Sequence, residues 1–277
     1  MRTHPIIVAA DGTEPSKAAV RWAAREAFRR GRPLRVAHVF DWEWREARYD
    51  MSNQYLDIAR KHAEGLTANA VYEARTAALK VEVEGDPLIG QVAPRLIGES
   101  DHAELMVLGN RGRGGFASLL LGSVSHRVAT HASCSVVVVR GRGGDLAEGP
   151  IVVGVDDSPA SDRVLEVAFD EAAGRGAALL AVRAQVPVEF HDPERAHVEE
   201  QLAPWRNKYP AVPVKVVLTS GGAAAELTAA SATAQLVVVG SRGHGLIIGT
   251  ALGSTGLQLL HHADCPVYVV REPRSES

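Results

Sequence analysis

Only two cysteines occur among the 277 residues, and Cys265 follows Cys134 by 131 positions. Each opens an aliphatic stretch, so the pair reads as small buried hydrophobes rather than as a disulfide or a redox couple. Charge of one sign is missing as well. Thirty Lys and Arg against 33 Asp and Glu leave a net charge of −3, which gives no electrostatic footprint for nucleic acid. No apolar run approaches the ~20 residues needed to cross a bilayer. Nor does Met1-Arg2-Thr3-His4-Pro5 lead into the apolar core of a signal peptide. These absences point to a protein of the reducing cytoplasm with neither nucleic acid nor membrane as partner. A Walker A loop is excluded because the chain holds no Gly-Lys step.

What is present is a duplication. Gly109, Gly112, Gly122 and Ser123 recur 131 residues later as Gly240, Gly243, Gly253 and Ser254. Both copies follow an aliphatic run (Leu105-Met106-Val107-Leu108; Leu236-Val237-Val238-Val239) and precede another (Val136 to Val139; Val267 to Val270). Further upstream, Ile6-Ile7-Val8-Ala9-Ala10-Asp11 matches Ile151-Val152-Val153-Gly154-Val155-Asp156 at an offset of 145. The fall in offset places extra residues in the first copy, partly at 41–53 and partly ahead of its fourth strand. The segment from Gly141-Arg142-Gly143-Gly144 to Gly149-Pro150 reads as a linker. It divides the chain into domains 1–144 and 149–277.

Each copy alternates strands with helices. In the first, strands are expected near 5–10, 34–40, 79–84, 104–108 and 135–140. A helix is expected from Thr13-Glu14-Pro15 to Gly31, with Ala19, Val20, Ala23, Ala24 and Ala27 on its buried face. In the second, Ser158-Pro159 marks the corresponding start and Gly174 or Gly176 the end. Short unbroken aliphatic strands between helices imply an α/β protein. The reading is two tandem doubly wound domains, each a five-stranded parallel sheet with helices on both faces. Ligands then belong at the carboxyl ends of the strands, where Asp11, the Gly109 loop and their counterparts fall.

Glycines after a strand let backbone N–H groups approach an anion, and a Gly-Ser step opening a helix adds that helix's positive end. The doubled loop therefore suits a di- or triphosphate. Asp11 and Asp156 suit hydrogen bonds from a ribose or base. The alternative is that the glycines only make tight turns and the aspartates only cap helices. Arg111, Arg113 and Arg242 are either phosphate partners or solvated loop cations. Trp42 and Trp44 either pack beneath the first-copy insertion or form a partner-binding patch. His126 with His131, and His261 with His262, lack acid or thiol partners at metal-ligand spacing, and no metal ligand is assigned.

Gly-x2-Gly-x9-Gly-Ser, a first strand ending in Asp, the segments Gly-Asn-Arg-Gly-Arg-Gly and Gly-Ser-Arg-Gly-His-Gly, and a Val-rich last strand together resemble the universal stress protein family. The likeness covers nearly the whole chain as two fused copies of its ATP-binding branch. It implies bound adenine nucleotide, as ATP alone or with Mg. It also implies pairing of domains through the last strands, within the chain or in a homodimer. By position, Asp11 and Val39 would contact ribose and adenine, while Gly109, Gly112, Gly122, Ser123 and Ser125 would hold phosphates. The second-copy set is Asp156, Ala184, Gly240, Gly243, Gly253 and Ser254. That copy departs from the family pattern at Ala184 for Val39, Gly256 for Ser125, and Ala223 where many members carry Pro. The functional expectation is a stress-response regulator whose occupancy by ATP sets conformation or assembly, with no catalytic residue assigned. A slow ATPase and a nucleotide-free adaptor are the alternatives.

Overall fold

The computed structural model describes residues 4–40, 54–112, 120–141, 148–241 and 252–272. The chain divides into two compact units, Met1–Val139 and Arg140–Ser277. No helix among the described residues is long and apolar enough to cross a membrane.

Unit 1 contains β1 (Ile6–Ala9), α1 (Glu14–Arg30), β2 (Leu34–Phe40), α2 (Gln54–Ala77), β3 (Val83–Ile89), α3 (Val92–Glu99), β4 (Leu105–Gly109), α4 (Ser123–His131) and β5 (Ser135–Val139). Its strands lie in the order β3-β2-β1-β4-β5. Observed pairs are parallel, with Ile6 opposite both Leu34 and Leu105. The order reverses at β1, where the chain crosses to β2 on one side and β4 on the other. A crevice opens above the carboxyl ends of the strands at such a reversal.

Unit 2 repeats the plan with β6 (Ile151–Gly154), α5 (Ser161–Arg175), β7 (Leu179–Arg183), α6 (His191–Lys208), β8 (Val214–Leu218), α7 (Ala223–Ser231), β9 (Leu236–Gly240), α8 (Ser254–His262) and β10 (Val267–Val270). Its order is β8-β7-β6-β9-β10, with parallel pairing throughout. Ile151 pairs with Leu179 and Leu236 as Ile6 pairs with Leu34 and Leu105. The register thus makes His38 and Arg183 equivalent, and likewise Val39 and Ala184.

The apolar stripe of α1 falls where its period predicts: Ala19, Val20, Ala23, Ala24 and Ala27 are all buried. The same five positions of α5 are Val164, Leu165, Ala168, Phe169 and Ala172, again buried. Both helices stop at a glycine in the left-handed region, Gly31 at φ 60° and Gly176 at φ 62°. That conformation returns the cap N–H to the last carbonyls and suits a residue without Cβ. Gly176, not Gly174, is therefore the second stop.

Two local expectations need correction. The third strand occupies Val83–Ile89 rather than 79–84. Leu79, which the alternation made a strand residue, is 90% exposed in the turn after α2, and pairing with β2 begins at Val83 opposite Leu34. Pro87 is tolerated within β3 because this strand is the outer one in the unit 1 order. The first helix of unit 2 begins at Ser161, later than Ser158-Pro159 implies. In unit 1, Gly12 at φ 83° turns the chain directly into α1, with Thr13 as N-cap and Pro15 in the first turn. Asp157 stands at that position in unit 2 and does not adopt a positive φ. A Ser161 N–H to Ser158 carbonyl bond of 3.0 Å closes a separate turn before the helix starts.

Candidate nucleotide site

In unit 1, Asp11 follows two residues after the end of β1, and its Oδ1 accepts the Thr13 N–H at 3.0 Å and the Thr13 hydroxyl at 2.6 Å. The Asp11 N–H in turn donates to Ser16 Oγ at 3.0 Å. The aspartate thus orders the corner between β1 and α1, as the capping alternative anticipates. Its other oxygen, Oδ2, faces the Gly109 loop: a Cβ on Gly112 would stand 2.5 Å from it. Gly109 is crowded for a different reason, since a Cβ there would meet the Pro15 carbonyl oxygen at 2.6 Å. These two glycines let the β4 loop close onto the β1–α1 corner.

Gly122 differs. A Cβ at this position would meet nothing nearer than the Arg111 Cα at 3.4 Å, an ordinary contact. Its N–H donates to the Asn110 carbonyl at 2.8 Å, which folds the loop back on itself. Gly122 is also the N-cap of α4, with no side-chain cap and no acidic residue in the first turn. The first N–H groups of a helix lack intrahelical acceptors, and an uncapped N-terminus carries roughly half a positive charge. Ser123 is exposed in this first turn. Ser125 is buried, and its hydroxyl donates to the Gly109 carbonyl at 2.7 Å, fastening α4 to the end of β4.

Asp11, Val39, Gly109, Gly112, Gly122, Ser123 and Ser125 all line one cavity of about 510 Å³ at the carboxyl ends of the strands. Sequence reasoning missed His38, His62, Val92 and Leu96 in its wall. His38 is nearly buried, and its Nδ1 lies 2.6 Å from the Ala10 carbonyl. A carbonyl only accepts, so the proton sits on Nδ1. Cavities of this size, with apolar walls and a few polar groups, suit small organic ligands.

Unit 2 holds a cavity of about 570 Å³ lined by Asp156, Ala184, Gly240, Gly253 and Ser254. Gly243 lies outside the described residues, as do Arg113, Arg242, Trp42 and Trp44. The parallels are close. Asp156 Oδ1 accepts the Ser158 N–H at 3.0 Å. The Gly253 N–H donates to the Ser241 carbonyl at 2.8 Å, and Gly253 caps α8 without a side-chain bond or a first-turn acid. Gly256 leaves α8 without the hydroxyl tie that Ser125 provides in unit 1.

One wall of the second cavity is built differently. Asp157, Arg183 and Glu194 all line it. Arg183 Nη2 donates to Asp157 Oδ2 at 2.5 Å, and its Nε lies 2.6 Å from Glu194 Oε1. Asp157 Oδ1 also faces His197 Nε2 and Gln201 Nε2, both at 2.8 Å. Burial pushes the Asp157 carboxyl up. Hydrogen bonds from His197, Arg183 and Gln201, with the guanidinium charge, outweigh it and hold the group down at about 2. This clasp joins the β6–α5 loop, the end of β7 and α6. The adjacent pair Asp156-Asp157 was its only trace in the sequence. Neither cysteine is in a disulfide, Cys265 being buried and Cys134 partly so. Among the described residues, no three His, Cys, Asp or Glu side chains are grouped to hold a metal.

The family model for the universal stress protein family matches residues 2–140 and 149–271, one match per repeat. A universal stress protein of Mycobacterium tuberculosis (strain ATCC 25618 / H37Rv) is 36% identical over 291 residues, covering 98% of each chain. Another, from Mycolicibacterium smegmatis, is 34% identical over 289 residues with 97% of each covered. Among solved structures, a universal stress protein of Archaeoglobus fulgidus DSM 4304 superposes with a TM-score of 0.74 over 99% of this chain and 98% of its own. At 22% identity that likeness speaks for the fold. Matched by the family model in both halves, and by relatives along its whole length, the chain belongs to the universal stress protein family.

Proposed function

We propose that each unit binds an adenine nucleotide, ATP alone or with Mg. The triphosphate lies at the N-terminus of α4 or α8, and the nucleoside lies toward Asp11 and Val39 or Asp156 and Ala184. Occupancy then sets the conformation or assembly state through which the protein acts in the stress response. The observation that carries this reading is the contrast among the glycines of unit 1. Gly109 and Gly112 are required by neighbouring protein atoms, whereas Gly122 is not, although it borders the cavity and opens an uncapped helix. A phosphate against that backbone supplies the missing reason for a glycine. No carboxylate occurs in the sequence between Gly109 and His131, or between Gly240 and His262. Binding is therefore favoured over hydrolysis, and any Mg would be held mainly by the phosphates and water.

The test is denaturation of the purified full chain with identification of released nucleotide, followed by calorimetric titration of the emptied protein with ATP. ATP binding at two sites per chain is expected, and a protein that neither carries nor takes up adenine nucleotide refutes the reading. Association of the apolar terminal strands, within a chain or between copies, is a further part of the proposal. It is tested by whether residues 1–144 alone self-associate.

A further inference from the structure

We propose that the two cavities sort adenine nucleotides by charge, the first favouring the triphosphate and the second the less phosphorylated members of the series. The inference rests on the nucleotide reading above and concerns a difference between sites that the duplication hides. Among the described lining residues, the first cavity presents one carboxylate, Asp11, and one guanidinium, Arg111. The second presents three carboxylates, Asp156, Asp157 and Glu194, and one guanidinium, Arg183. The remaining wall of the first is uncharged or imidazole: the serines Ser16, Ser123 and Ser125, the imidazoles of His38 and His62, and apolar groups such as Val39. Arg242, the counterpart of Arg111, lies outside the described residues; with Arg111 set aside, the second lining is more negative by one formal charge.

The extra carboxylates are built in. Arg183 donates to Asp157 and is ion-paired with Glu194, so its charge is already shared between two acids. His197 and Gln201 hold Asp157 from α6. A guanidinium matched this way is a hydrogen-bond donor toward a neutral ribose or base, but a weak attractor of phosphate. In the loop sequences Arg242 matches Arg111, while Arg113 of the first copy is replaced by His244 in the second, which brings the difference to two formal charges. ATP carries about two more negative charges than AMP. At separations on the order of 10 Å in wet surroundings each charge pair changes binding roughly twofold, so four such pairs separate the preferences by roughly tenfold.

The test uses the full chain, emptied of nucleotide, titrated calorimetrically with ATP, ADP, AMP and adenosine at low salt. Two classes of site are expected whose ATP-to-AMP affinity ratios differ by about tenfold. Gly122→Ala should weaken ATP at the class with the higher ratio by at least tenfold. The double variant Asp157→Asn, Glu194→Gln keeps the side-chain shape and one acceptor oxygen each while removing the charge, and should raise the lower ratio by about tenfold. Should that variant lose its fold, salt dependence of the unaltered protein gives the same answer. Added salt should lower the ATP-to-AMP ratio at the first class and raise it at the second. Ratios equal within threefold, or moving in the same direction with salt, overturn the sorting. Absence of binding across the entire series instead overturns the nucleotide reading itself.

Discussion

At the scale of single residues, glycines that look alike in sequence do different work. Gly109→Ala drives a Cβ to within 2.6 Å of the Pro15 carbonyl oxygen, against backbone that has no rotamer to yield. A loss of about 2 kcal/mol or more in stability is expected, within the range for overpacking. Gly122→Ala has room and should leave the denaturation midpoint nearly unchanged while weakening ATP in one unit by at least tenfold. Paired denaturant and calorimetric titrations of the two variants separate the roles, and a Gly122→Ala protein that binds ATP as before removes the phosphate assignment. Buried charge gives a second case. Glu171 is fully buried on α5, and its Oε2 accepts from Arg175 Nε and Nη2 at 3.0 and 2.8 Å. Unit 1 repeats the arrangement with Glu26 paired to Arg29 and Arg30. Glu171→Ala leaves a guanidinium that is only 20% exposed without this partner. A loss of about 3 kcal/mol in urea unfolding is expected, and a loss below about 1 kcal/mol would show that the site relaxes to water.

Among elements, the β6–α5 loop, β7 and α6 meet at Asp157, a junction that unit 1 replaces with Gly12. The sign of its pH dependence follows from the depressed acidity. A carboxyl held at about 2 in the folded state against 3.8 ordinarily stabilises unit 2 above the higher value and loses that contribution as pH falls through the lower one. Because the Asp157 side chain is 36% exposed, solvent screens much of the gain. The expected outcome is a difference between the native protein and Asp157→Asn that is full at pH 6 and mostly lost by pH 2, where the folded carboxyl is about half protonated. A difference undiminished at pH 2 contradicts the ionic account. This junction also marks where sequence reading stops. The stripes of α1 and α5 were legible because helical period and burial are local. That Asp11 and the first-copy glycines line one cavity was legible because glycines and aspartate at strand ends have few roles. The clasp was not, since Asp157, Arg183, Glu194, His197 and Gln201 are spread over 45 positions and meet only because Asp157 declines the turn that Gly12 makes. The start of β3 was misjudged for a related reason: alternation in Leu79-Lys80-Val81-Glu82-Val83 does not reveal where β2 begins to pair.

For the molecule as a whole, duplication offers two sites of one design, and the open question is whether either does chemistry. In the proposed sites, backbone N–H groups and the Ser123 and Ser254 hydroxyls would hold charge in ground state and transition state alike, which leaves a barrier unchanged. Phosphoryl transfer to water needs in addition a group that positions or deprotonates the nucleophile and a ligand that fixes the metal. In unit 1, Asp11 lines the cavity, but its Oδ1 is engaged by Thr13. In unit 2, Asp157 and Glu194 are tied to Arg183 at the end of β7, beside the position given to the nucleoside. Turnover is therefore expected to be absent or far below the ~1 per second at the low end of ordinary enzymes. Steady-state phosphate release with Mg and ATP measures it, and Gly122→Val with Gly253→Val in one chain supplies the blank. Release near 1 per second that disappears in that double variant would overturn the proposed binding role in favour of an ATPase. Asp11→Asn and Asp156→Asn, assayed one at a time, would then identify which cavity supplies the base.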